Sequence, residues 1–325
     1  MYEKFYRLSG IPFQLTPDSR FFFGSAGHNR AISHLVYGLA QEEGFIVITG
    51  EVGAGKTTLV EQLWSQLDRR TYILGRVVTT QVSGDDLLRL IVTSYGIDDR
   101  GADKATLLRR FEKMVREQRG IGRRCLLVVD EVQNLSLAAL EELRMLSNIT
   151  VDSHASVQTI LLGQPQFRLM LAGSELEQLR QRVLASYHLG PLSETETKGY
   201  VEHRLRTVGW VDDPHWDETA FSLVHRFTGG IPRRINTLCT RILLYGALEE
   251  AHEVGGEMVR TIAGELEQDL GAGSIARRPP MPVMTNGAGQ DGLLGRVAAL
   301  EHGMARQDRI FRRLIDLLGG YHSPS

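Results

Sequence analysis

The sequence predicts an α/β protein: a parallel sheet covered by helices on both faces, then a small all-helical unit and a C-terminal heptad helix. Three observations carry this expectation. Short, continuously apolar runs alternate with helical patterns over residues 27–190, as strands buried on both faces require. The strand signal then stops, and helical periodicity alone fills residues 191–268. Between an apolar run and a helical pattern lies Gly50-Glu51-Val52-Gly53-Ala54-Gly55-Lys56-Thr57, which fits G-x-x-x-x-G-K-[ST], the phosphate-binding P-loop.

Residues 1–26 hold Phe5, Phe13 and Phe21-Phe22-Phe23 among prolines, so an ordered arm packed on a domain is expected. From His28 to Gln41, Ile32, Leu35, Val36 and Leu39 mark one face of an amphipathic helix. Phe45-Ile46-Val47-Ile48 is the P-loop strand, and Leu59, Leu63 and Leu67 mark the helix that follows the loop. Further strands are expected at 72–78, 125–129, 157–162 and 186–189, with helices at 85–95, 104–118 and 137–146 between them. The helical unit should contain 194–208, 217–227, 232–250 and 256–268. Residues 269–292, rich in Gly, Pro and small side chains, read as a flexible linker. Beyond it Leu293, Val297, Leu300, Met304, Gln307, Phe311, Leu314 and Leu318 form an a/d seam within 293–320. That segment is either a coiled-coil or partner-binding helix, or an amphipathic helix folded onto the core.

Composition narrows the function. At 325 residues the chain has room for two domains of roughly 150 residues each. A net charge of −2 offers no basic field for nucleic acid. Cys125 and Cys239 lie outside any C-x-x-C spacing, which argues against a disulfide frame or a zinc site. No apolar run approaches the roughly 18 residues that span a bilayer, and Met1 to Tyr6 lacks a signal-peptide core. A cytoplasmic protein is expected, reaching the inner membrane only through a partner.

The motifs carry the chemistry. The candidate nucleotide-binding residues are Gly50, Glu51, Val52, Gly53, Ala54, Gly55, Lys56, Thr57 and Thr58. Glycines let the loop wrap an anion closely, and the helix N-terminus faces the phosphates. Lys56 should reach the β- and γ-phosphates of ATP, and the Thr57 hydroxyl should hold Mg²⁺. Val128-Val129-Asp130-Glu131 ends an apolar strand, able to lie beside the P-loop strand, with two carboxylates. Asp130 would then hold Mg²⁺, directly or through water, opposite Thr57, and Glu131 would be the general base that activates water; the alternative is an acid pair opening a helix. Gln164, after the 157–162 strand, can orient water or contact the γ-phosphate, or merely fill a turn before Pro165. Arg182 and Arg180 precede the last strand; Arg182 is the preferred arginine finger, offered in trans to a neighbouring subunit, and a solvated arginine is the alternative for either. Arg233, at a helix start after Gly229-Gly230-Ile231-Pro232, could reach the γ-phosphate from a lid, or form an exposed pair with Arg234.

This set resembles the AAA+ ATPases. Within them the chain is similar to the secretion ATPases of the ExeA/GspA type and, more distantly, to the transposition ATPase TniB. The carrying phrases are Phe13 to Asp18, Gly50 to Thr57, Asp130 to Leu135, Leu162 to Pro165 and Gly230 to Asn236. The opening Met1 to Tyr6 and the length look most like the exosortase (XrtA)/PEP-CTERM-associated ATPases, whose loci also encode exopolysaccharide synthesis and export. The resemblance implies a P-loop AAA+ core with a helical lid. It implies sensor 1 at Gln164, the finger at Arg182, sensor 2 at Arg233 and an arm of Thr16 to Phe23 plus His28 beside adenine. Proteins of the ExeA type continue into a transmembrane segment and a peptidoglycan-binding domain. Here a linker and heptad helix follow, so output is expected to pass through envelope-secretion or polysaccharide-export partners. Three functions are therefore in view: an ATP-hydrolysing motor or switch, a nucleotide-switched scaffold with little turnover, and a DNA-associated ATPase.

Overall fold

The computed structural model describes residues 1–16, 18–78, 83–151, 154–155 and 157–271. Five strands form one parallel sheet: β1 Phe45–Gly50, β2 Tyr72–Val78, β3 Arg124–Asp130, β4 Val157–Gly163 and β5 Val183–Leu189. Their spatial order is β2-β3-β4-β1-β5. The acidic strand β3 therefore does not lie beside the P-loop strand, contrary to expectation. β4 sits between them, pairing Val47 with Leu161 on one side and Val129 with Leu161 on the other.

The three central strands, β1, β3 and β4, are buried on both faces, and their alternate residues serve opposite layers. Phe45, Val47, Leu127, Val129 and Leu161 pack with helices α3 Gly84–Ser94, α4 Lys104–Gly120, α5 Leu137–Leu146 and α6 Pro165–Ala172. Ile46, Ile48, Leu126, Val128 and Leu162 pack with α1 Ala26–Ala40 and α2 Lys56–Gln66. Burial on both sides removes the polar half of the usual strand alternation, so these strands appear as unbroken apolar runs.

The helical unit consists of α7 Glu194–Thr207, α8 Glu218–Thr228, α9 Pro232–Leu248 and α10 Gly256–Gly271. It also holds a two-residue parallel bridge, His215–Trp216 with Glu253–Val254, where no strand was expected. α10 reaches Gly271, beyond the expected linker boundary at 269. The remaining linker and the heptad helix at 293–320 lie outside the described residues.

The arm belongs to the helical unit. Tyr2, Tyr6, Leu8, Phe13 and Phe21 share one core with Val201, Leu205, Ile235 and Ile242. Ser9 N–H donates to the Val208 carbonyl at 2.9 Å, and the Tyr6 hydroxyl to the Ala251 carbonyl at 2.9 Å. The deepest tie is Arg204, buried against Phe21, with its guanidinium 4.6 Å from that ring. Its Nε donates to the Pro12 carbonyl and its Nη2 to the Gln14 carbonyl. Among the described residues the α/β core contains no helix long and apolar enough to cross a membrane, nor does the helical unit.

Candidate active site

The site forms where parallel strands end, at the point where strand order reverses around β1. β1 delivers the loop and α2 leaves it. Gly53 and Gly55 hold φ of 82° and 99°, a backbone that favours glycine. Space also excludes side chains there: a Cβ on Gly53 would stand 2.3 Å from Cβ of Arg233, and one on Gly55 2.8 Å from Nε2 of His28. With Gly55 capping α2, the N–H groups of the first turn at Lys56, Thr57 and Thr58 have no carbonyl a turn earlier and face the cavity. Ala54 is buried, while Glu51 and Val52 are exposed, Val52 at the cavity wall.

Lys56 is buried, and its Nζ donates to the carbonyls of Gly50 at 2.8 Å and Glu51 at 3.1 Å. Burial lowers its pKa, opposed by the nearby charges of Glu131, Asp130 and Glu51. The Thr57 hydroxyl donates to Oδ2 of buried Asp130 at 2.8 Å, although 73 residues separate them. Two hard oxygen donors thus converge beside the phosphate loop, and the pair fits Mg²⁺.

Glu131 takes a left-handed conformation, φ 54° and ψ 40°, which turns the chain sharply off the end of β3. Its Oε2 accepts from the Gln164 side chain at 3.0 Å and from the Gln133 side chain at 2.5 Å. Partial burial raises the Glu131 pKa, but these two bonds and the charge of Lys56 outweigh it and hold the carboxyl below its ordinary value. β4 places Gln164 between the P-loop and the acidic pair because it is the strand between β1 and β3.

The lid touches the loop directly. Arg233 N–H donates to the Gly53 carbonyl at 3.2 Å. Between loop, lid and arm lies a cavity of about 310 Å³. Thr16, Phe22, Phe23 and His28 line its arm side, and Tyr200, Arg204 and Arg233 its lid side. His28 is buried, with Nδ1 2.7 Å from the Ser25 hydroxyl. Burial lowers its pKa, against the raising influence of Glu196 and the Ala54 carbonyl.

Arg182 is not part of this cluster. It stands at the opposite end of the sheet, where its carbonyl accepts from Phe45 N–H at 2.9 Å and its Nη1 donates to the Ser147 hydroxyl at 2.9 Å. Arg180 is exposed and donates to the Ala172 carbonyl at 3.0 Å. Sequence reasoning passed over Gln133 and Arg204. An amide two residues after the acidic pair is a signal that could have marked Gln133. Tyr200 lies one helical turn from Arg204, but the arm carbonyls that Arg204 holds lie about 190 residues away, and nothing local marks them.

A family model described as an AAA domain matches residues 39–171. General secretion pathway protein A of Aeromonas hydrophila is 36% identical over 255 residues, which is 78% of this chain and 46% of that protein. The chain thus spans about half the length of that curated relative. Among solved structures, Cdc6p of Pyrobaculum aerophilum superposes with a TM-score of 0.61 at 16% identity, covering 81% of this chain and 70% of its own. The ADP form of Aeropyrum pernix ORC2 gives 0.59 at 19% identity, covering 81% and 72%. A mutant form of Thermotoga maritima RuvB gives 0.52 at 17%, covering 76% and 71%. At such identities these structures speak for the fold alone. Motif, sheet order and family match agree: the chain carries an AAA-type P-loop NTPase domain and is similar in sequence to a general secretion pathway protein A.

Proposed function

We propose that this chain binds ATP in the cavity between loop, lid and arm, and hydrolyses it. The observation that carries this reading is the convergence of Thr57 with Asp130, and of Gln164 with Glu131, at the ends of three different strands beside the P-loop. Thr57 and Asp130 would hold Mg²⁺, which when bound neutralises charge across the β- and γ-phosphates. Lys56 and the N–H groups opening α2 cradle the phosphates. Glu131 takes a proton from water as the water oxygen bonds to the γ-phosphorus. The bond from that phosphorus to the β–γ bridging oxygen breaks, and its electron pair leaves with ADP. Gln164 aligns the water or the γ-phosphate, and the proton on Glu131 returns to phosphate or solvent.

Arg233 couples this event to the lid, since its main chain already holds Gly53. Arg182 serves the site of a neighbouring copy in a ring or filament; its position at the far end of its own sheet supports a trans role. The output is assembly or regulation of an envelope secretion or polysaccharide-export system, exosortase-linked by the resemblance of Met1 to Tyr6. Similarity to general secretion pathway protein A supports the secretion part. Partners engage through residues 293–320, from a cytoplasmic protein attached peripherally at the inner membrane. A pull-down with and without residues 293–325 tests the partner. Turnover of purified protein beside Glu131→Gln tests the chemistry: the variant should bind ATP and lose turnover, and equal turnover would sink the assigned role.

A further inference from the structure

Between the two residues expected to act on water stands a third. Gln133 occupies a short turn, Val132–Asn134, closed by Asn134 N–H donating to the Glu131 carbonyl at 2.9 Å. Val132 is fully buried in the core, which anchors this turn. The Gln133 side chain makes two bonds of opposite sense. Its Oε1 accepts from the main-chain N–H of Gln164 at 2.9 Å, and its Nε2 donates to Oε2 of Glu131 at 2.5 Å. Only one orientation of the amide satisfies both. A flipped amide would set donor against donor at Gln164 and acceptor against acceptor at Glu131.

We infer that Gln133 is the positioning residue for Glu131, fixing one carboxylate oxygen so that the other is aimed at the attacking water. This rests on the reading of Glu131 as the base. The geometry explains why Gln164 alone does not suffice. Gln164 reaches Glu131 through its side-chain Nε2, at 3.0 Å. When that amide turns to a γ-phosphate or a water, its bond to Glu131 breaks. Gln133 uses the main-chain N–H of Gln164, which a side-chain rotation leaves in place. Gln133 therefore keeps the carboxylate aligned while Gln164 moves, and ties the end of β3 to the end of β4 throughout. The left-handed backbone of Glu131, costly for a non-glycine residue, is the kind of strain that surrounding contacts must over-determine.

The test compares wild type, Glu131→Gln, Gln133→Met and Gln133→Glu in steady-state ATP hydrolysis, fluorescent-nucleotide binding and thermal melting. Met keeps the length and loses both bonds. Glu keeps an acceptor for Gln164 N–H and sets a carboxylate against Glu131. Both Gln133 variants should lose about 10- to 100-fold in kcat, the usual consequence of a reacting group misplaced by an ångström. KM and nucleotide affinity should stay near wild type, and Tm should fall by only a few degrees for the two lost bonds. Wild-type kcat in Gln133→Met or in Gln133→Glu, beside an inactive Glu131→Gln, overturns the inference alone. So does a joint fall of kcat, affinity and Tm in both Gln133 variants, which marks a merely structural residue. Wild-type turnover in Glu131→Gln overturns the base reading first.

Discussion

Replacing Gly53 with alanine tests how the lid communicates with the phosphate loop. Two costs add. At φ 82° a Cβ costs about 1–2 kcal/mol of backbone strain. That Cβ also falls 2.3 Å from Cβ of Arg233, so the lid helix α9 must back away. Backing away breaks the bond from Arg233 N–H to the Gly53 carbonyl, at about 0.5–1.5 kcal/mol. The closed form thus loses about 1.5–3.5 kcal/mol, and if nucleotide binds that form its affinity falls roughly 10- to 400-fold. Gly122→Ala is the control. It carries the same strain at φ 78° with nothing within 4 Å of its new Cβ, so it should lower Tm and leave binding alone. Arg233→Gly removes the opposing Cβ, and in that background Gly53→Ala should lose only the strain part. Titration of a fluorescent ATP analogue across this double-mutant cycle reads the coupling. If Gly53→Ala binds within about twofold of wild type, or loses the same in both backgrounds, the steric link between loop and lid is wrong.

The other expectations are shorter. Arg182→Ala should lose about a thousandfold in kcat, the lower range for an arginine finger. Mixing it with Glu131→Gln should restore turnover, because each variant supplies what the other lacks; no restoration refutes the trans role. Arg204→Met strips two arm carbonyls and the Tyr200 hydroxyl of a buried partner. It should destabilise the helical unit by about 3 kcal/mol and expose the arm to protease; unchanged denaturation and cleavage patterns refute the anchor. His28 has a lowered pKa in the fold, chiefly from burial. The unfolded chain then binds more protons in the window below pH 6.5, so stability falls as pH drops through it. His188 and His203 shift the same way. Melting at pH 5.5 and 7.5 should show a smaller acid loss in His28→Asn than in wild type.

How much was legible in the sequence follows from how local each signal is. The strands buried on both faces, Phe45 to Ile48 and Leu126 to Val129 among them, declared themselves as apolar runs, because burial on both faces leaves no polar half. The P-loop and the acidic pair declared themselves because each is a motif of fixed residue types at fixed spacing along the chain. Gln164 was foreseeable from its place after a strand. Strand order was not: β4 lies between β1 and β3 because parallel pairing is decided by long-range packing. The arm announced its burial through aromatics but not its host, since Phe13 and Phe21 fit any apolar surface.

From sequence alone came the strand–helix alternation, the phosphate loop, the two carboxylates and the absence of a basic field. Each of these is a property of neighbours along the chain, where periodicity and spacing are visible. Tertiary structure alone decided that the arm packs into the core of the helical unit and that Arg204 anchors it there. It alone showed that Arg233 leans on Gly53 and that Gln133 closes a ring with Glu131 and Gln164. Those contacts join segments from separate parts of the chain, and local propensity carries no record of which distant group will complete a hydrogen bond.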